Sequence, residues 1–137
     1  MSSRLNPYVS FSDNARQALE FYRGVFGGEL ALSTFGEGGG MEGPDADKIM
    51  HGQLETPSGF TLMASDTPAG MERTEGTNIS ISLSGDDADD LRGWFAKLAE
   101  GGTVTMQLEK QMWGDEFGMV TDSFGVNWMV NISQPAA

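Results

Sequence analysis

Two stretches of this chain follow one pattern: residues 6–28, NPYVSFSDNARQALEFYRGVFGG, and residues 78–102, NISISLSGDDADDLRGWFAKLAEGG. Each starts with apolar and polar residues in alternation and passes a short polar turn. Each then carries apolar residues at three- and four-residue spacing and stops at Gly-Gly. Alternation specifies a strand with one apolar face, and the wider spacing specifies a helix with one buried stripe. A repeat of this length implies two copies of one supersecondary unit, paired so that a cleft forms.

In the first copy Asn6, Tyr8 and Ser10 share one strand face and Pro7, Val9 and Phe11 the other. Ser12, Asp13 and Asn14 offer side-chain oxygens to the free N–H groups of a helix start. Ala15, Ala18, Leu19, Tyr22 and Phe26 form its stripe, and Gly27-Gly28 ends it. Strands are expected over 30–35, 49–54 and 60–65, the last two joined by the hairpin residues 55–59. Residues 36–47, GEGGGMEGPDAD, read as a mobile loop. In the second copy Ile79, Ile81 and Leu83 form the apolar strand face. Asp86 and Asp87 suit a helix start, and Leu91, Trp94, Phe95 and Leu98 make the stripe. Strands follow over 103–108, 117–121 and 126–132.

The order is therefore β-α-β-β-β written twice, an α+β chain of one domain. The first module covers about residues 4–66, a linker 67–76 and the second module about 77–133. At 137 residues the chain is long enough for a core without staples. It has no cysteine, which excludes disulfides, thiolate metal sites and a cysteine nucleophile. A net charge of −12 repels nucleic acid and anionic membranes. No apolar run reaches the ~20 residues that span a bilayer, and MSSRLNPY lacks the apolar stretch of a signal peptide. The expectation is a soluble cytoplasmic protein.

In both copies the helix must cover the apolar face of the first strand, which leaves the polar face toward the cleft. Tyr8, Ser10, Ser80, Ser82, Asn6 and Asn78 point that way. By parity so do Asn127, Met129 and Asn131 on the last strand, whose core face is Trp128, Val130 and Ile132. His51 and Gln53 share a strand face, but the pattern does not say which. His51 is the only histidine, the side chain that exchanges protons most readily near neutrality. It is read either as a proton carrier or as a structural strand residue. Trp113, in the polar turn QMWGD, suits a pocket lid or an interface. Phe117, Phe124 and Trp128 read as core. Met63, Met119 and Met129 fall on strands near the cleft, where thioethers adapt to apolar ligands. Asp122 suits a hairpin turn held by Asx-type hydrogen bonds.

The segments NPYVSFSDNARQALEFY, KIMHGQL, MASD and FGMVTDSFGVNWMVN resemble the PhnB-like branch of the vicinal-oxygen-chelate superfamily. That superfamily includes glyoxalase I, bleomycin and fosfomycin resistance proteins and extradiol dioxygenases. The resemblance spans essentially the whole chain. It implies a curved eight-stranded mixed sheet around a cavity with helices outside, and homodimerisation. Metal-using members place His or Glu ligands on the cavity faces of the first and last strands of both modules. Those positions fall here near Asn6 and Asn78, around Met63 to Ser65, and at Met129. They supply amides, a thioether and a hydroxyl, so no metal or other cofactor is expected. The branch commonly has histidine at the position of His51.

Three functions stay open. One is a small-molecule-binding protein using Tyr8, Gln53, Met63, Ser65, Asn78, Ser80, Trp113, Asn127 and Met129. Another is an enzyme of the glyoxalase/dioxygenase superfamily with His51 as its catalytic residue, acting as general base or metal ligand. The third is a dimeric scaffold.

Overall fold

The computed structural model describes residues 5–40, 43, 45–68, 76 and 79–134. The chain divides into two compact units, 1–75 and 76–137. In the first the order is β1 (Tyr8–Phe11), α1 (Ala15–Phe26), β2 (Glu29–Thr34), α2 (Phe35–Gly39), β3 (Ile49–Glu55) and β4 (Thr61–Asp66). In the second it is β5 (Ile81–Gly85), α3 (Ala88–Leu98), β6 (Thr103–Lys110), β7 (Glu116–Thr121) and β8 (Asn127–Ile132). The eight strands hydrogen-bond as two sheets of four, ordered β1-β4-β3-β2 and β5-β8-β7-β6. In each, the first strand runs parallel to the last and the other pairs are antiparallel. The repeat is thus one mixed sheet with one long covering helix, made twice. Of the expected linker, only Thr67, Pro68 and Gly76 lie within the described residues.

Each helix buries the expected stripe. On α1 the residues Ala15, Ala18, Leu19, Tyr22, Val25 and Phe26 are buried, and the helix packs on β2, β3 and β4. Gly52 is the point of contact on β3: a Cβ there would collide with Leu19 Cδ1 and lie 3.0 Å from Leu32 Cδ2. Burying one such leucine fully contributes about 1.5–3 kcal/mol. On α3 the buried residues are Leu91, Phe95 and Leu98, facing Leu83, Val120, Trp128, Val130 and Ile132 of its sheet. Trp94, expected in this stripe, is only half-buried.

The Gly-Gly stops repeat for a packing reason as well as a turning one. Gly27 and Gly101 take φ of 75° and 73°, the left-handed region that favours glycine. The second glycine of each pair lies against the strand end it must pass. A Cβ on Gly28 would collide with the Glu55 carbonyl and sit 2.8 Å from Thr56 Cα. One on Gly102 would collide with the Thr121 carbonyl and sit 2.9 Å from Asp122 Cα.

Helix starts differ from expectation. Asn14 and Asp87 occupy the N-cap positions, and neither makes a side-chain capping bond. For α1 a distant carboxylate does the work: Ala15 N–H donates to Asp66 Oδ1 at 2.8 Å. The other oxygen of Asp66 accepts from Ile49 N–H, also at 2.8 Å. Asp66 is 5 % exposed, so both donors are satisfied by a charge held out of water. A local polar turn cannot compete with that acceptor.

The Gly-rich stretch read as a mobile loop is partly folded. Thr34 caps α2 by accepting from Glu37 N–H at 3.1 Å, while Glu37 Oε1 accepts from Thr34 N–H at 3.4 Å. Gly40 then closes the turn at φ 67°. Gly36 N–H donates to the Ala46 carbonyl at 2.8 Å, tying the far side of the stretch back. Asp122 behaves as expected for an Asx turn. Its Oδ1 accepts from Phe124 and Val126 N–H at 2.8 and 3.0 Å. Its Oδ2 also accepts from the indole N–H of core Trp128 at 2.9 Å.

Candidate functional site on the outward sheet faces

Because α1 covers one face of the first sheet, the alternate residues face away from it. On β4 Leu62, Ala64 and Asp66 are buried, so Thr61, Met63 and Ser65 are outward. On β3 Gly52 and Leu54 are buried, which puts His51 and Gln53 outward and answers the question that pattern left open. A register shift between Ser33 and Thr34 leaves Met50 unpaired and turns Ile49 back to the core. One row across this face reads Tyr8, Met63, Gln53, Ala31, and beside it Ser10 pairs with Ser65 and Ser33 with His51.

Tyr8 reaches across β4 to His51. Its hydroxyl lies 3.4 Å from His51 Nδ1, with ring centroids 5.8 Å apart and planes at 45°. Tyr8 is 50 % exposed, so the pair is open to a ligand. Asn6 is half-buried just ahead of β1. An imidazole against a phenol, with serine hydroxyls, an amide and a thioether around them, can accept and donate hydrogen bonds. It can also move a proton between groups.

The second unit presents an equivalent face. Trp128, Val130 and Ile132 are buried on β8, leaving Asn127, Met129 and Asn131 outward. Met129 lies between Ser82 and Met119 in register, and Met119 opposite Met106. Asn131 lies between Ser84 and Phe117, and Phe117 opposite Glu109. The Thr121 hydroxyl donates to Asn127 Oδ1 at 2.8 Å. Ser80 is half-buried but precedes β5, which begins only at Ile81. Asn78 lies outside the described residues. Trp113 sits in the β6–β7 turn, 60 % exposed and edge-to-face with Phe117 at 6.1 Å.

Two features of this face escaped the sequence. Phe117 was expected in the core but lies in the outward row beneath Trp113. Met106 and Glu109 reach the face because β6 is bulged on both sides of Met106, which breaks simple alternation.

The positions to which the resemblance assigns metal ligands supply an amide at Asn6, a thioether or hydroxyl at Met63 and Ser65, and a thioether at Met129, with Asn78 outside the described residues. Among the described residues no group of three His, Cys, Asp or Glu could hold a metal ion. Amides, hydroxyls and thioethers without an imidazole or a carboxylate do not fit a divalent zinc, nickel, manganese or iron centre. Nor, among the described residues, is any helix long and apolar enough to cross a membrane.

Two βαβββ units, each a four-stranded mixed sheet with one long helix on one face, define the class of the fold, an α+β module made twice. The chain belongs to the Glyoxalase/Bleomycin resistance protein/Dioxygenase superfamily, whose family model matches residues 4–130. It is 30% identical to protein YjdN of Escherichia coli over 141 residues, covering 93% of this chain and 94% of that protein. Protein PA1353 from Pseudomonas aeruginosa has a similar structure: TM-score 0.85, 42% identity, 98% of this chain and 100% of that one covered. The PhnB protein from Bacillus cereus shares the fold, with TM-score 0.77 at 21% identity over 96% of this chain and 100% of that one.

Proposed function

We propose that the chain is a metal-independent small-molecule-binding protein whose ligand rests on the outward sheet faces, and that it works as a homodimer in the cytoplasm. The observation that carries this reading is the convergence of Tyr8, His51, Gln53, Met63 and Ser65 on one face of the first sheet. Ser80, Asn127, Met129 and Trp113 are its counterparts in the second unit, with Asn78 assigned to the same set by the sequence repeat. Small-molecule sites combine apolar walls with a few placed polar groups, and methionine adapts the wall to its occupant.

A thermal-shift screen is expected to yield a ligand that raises Tm in proportion to the logarithm of its concentration. His51→Ala and Gln53→Ala should weaken that ligand without lowering the Tm of the free protein. Near-stoichiometric zinc, nickel, manganese or iron in untagged protein would end the metal-independent reading. A monomer mass in light scattering at micromolar concentration would end the dimer.

The Tyr8–His51 contact favours one second reading, an enzyme in which His51 is the general base and Tyr8 orients its ring. That reading requires a substrate that turns over and a His51→Ala variant with lowered kcat and unchanged folding. Ligand binding with no turnover across the hits of the screen would reject it.

A further inference from the structure

We propose that the outward face of the second unit is a site for an organic ammonium ion, seated against Trp113 and beside Asp115. The inference rests on reading that face as ligand-binding and adds the chemistry of the ligand.

Trp113 is held in a defined place. The turn that carries it is closed by Gln111 N–H to the Asp115 carbonyl at 2.8 Å and Gly114 N–H to the Gln111 carbonyl at 2.9 Å. Phe117 supports the indole edge-to-face at 61° between planes, yet 60 % of the residue remains exposed. A fixed aromatic face attracts cations through its quadrupole, and indole does so best.

The acidic side chain of the same turn, Asp115, can only accept. Asn131 Nδ2 donates to Asp115 Oδ2 at 3.1 Å. A carboxylate has no proton to give, so this bond fixes which way the amide points and leaves Asn131 Oδ1 as an acceptor. Among the described residues nothing donates to that oxygen. Asp115 Oδ1 accepts from Gln134 N–H at 3.3 Å, so both partners of Asp115 are neutral and its charge is not cancelled. Glu109 continues the row beyond Phe117.

No cation shares this face among the described residues of the unit. Arg92 on α3 is paired with Glu116 and, at 3.8 Å, with Asp89. Lys97 lies on α3, and Lys110 is the register partner of Glu116, on the side opposite Glu109. An exposed indole on a face that carries the carboxylates of Asp115 and Glu109 and no described cation fits an ammonium ion wrapped in methyl or methylene groups and disfavours an anion. It also differs from a metal site, because the aromatic surface offers no lone pairs.

The test uses choline as probe and 3,3-dimethyl-1-butanol, the neutral carbon analogue of the same shape, as its control. Each is titrated into the full chain at low ionic strength, where Coulomb attraction is least screened. Amide and indole resonances are followed by NMR, with the Trp113 indole assigned from Trp113→Phe. Choline is expected to saturate with shifts at the Trp113 indole and the Asn131 side-chain amide. The neutral analogue should bind about tenfold more weakly. Trp113→Leu should abolish the response, and Asp115→Asn should weaken it. Glu109→Gln, which breaks none of the hydrogen bonds described, should weaken it while leaving Tm unchanged. Equal affinity for choline and its neutral analogue would overturn the assignment, as would saturation away from Trp113 or no saturation in the millimolar range. A neutral hit from the thermal-shift screen that shifts these same resonances would then preserve the binding reading while ending the ammonium one.

Discussion

Replacing Asp66 should cost more stability than removing any residue that the local sequence nominates as a cap of α1. Its carboxylate takes two backbone N–H groups, from Ala15 and Ile49, each at 2.8 Å, in a site 5 % exposed. Hydrogen bonds to a charged group contribute about 1.5–3 kcal/mol each, so Asp66→Ala should cost about 3–6 kcal/mol. Asp66→Asn keeps one acceptor and sets an amide N–H against a backbone N–H, so about half that loss is expected. Asn14→Ala and Asp13→Ala should change stability by no more than about 0.5 kcal/mol, since neither residue caps the helix. A domain of this size has about 5–15 kcal/mol in total, so Asp66→Ala should lie near the limit of folding. Its melting temperature should fall by roughly 10–20 °C. Urea unfolding of all four variants at one protein concentration, with m compared, measures these costs. A loss below about 1 kcal/mol for Asp66→Ala, or an equal loss for Asn14→Ala, would show that α1 is capped locally after all.

Three further outcomes follow from the same geometry. Gly28→Ala and Gly102→Ala each force a Cβ into a backbone carbonyl and should destabilise by about 1–3 kcal/mol in urea unfolding, whereas exposed Gly24→Ala should be neutral or stabilising. Thr34→Ala removes the capping box of α2 and should cost about 0.5–2 kcal/mol, with faster hydrogen exchange confined to 34–40. Asp122→Ala should cost more than Asp122→Asn, and both should alter the near-ultraviolet circular dichroism of Trp128, whose indole N–H loses its carboxylate partner.

The strand faces were legible because each outward set sits opposite a helix stripe that needs a partner. Tyr8, Ser10, Met129 and Asn131 could be placed by parity alone, and the repeat predicted both Gly-Gly stops. His51 could not be placed, because Ile49, Met50 and Leu54 around it carry no clean alternation; only the burial of Gly52 under Leu19 fixes its side. Parity also failed on β6, where bulges shift the phase before Met106 and again before Glu109. Asp66 was invisible as a cap because its partner Ala15 is 51 positions away. The α2 capping box was missed for a different reason: Thr34-Phe35-Gly36-Glu37 carries the required spacing, but the glycines that follow mask it.

The two buried carboxylates also set different schedules for the two units during synthesis. Asp122 binds groups two, four and six residues ahead of it, so its turn can close almost as soon as it is made. Asp66 must instead reach back across 51 residues to the start of α1. At about 5–20 residues per second that interval is several seconds, during which α1 waits without its acceptor. The start of α1 should therefore be secured only once β4 has been made, and until then the nascent helix is the segment most in need of shelter.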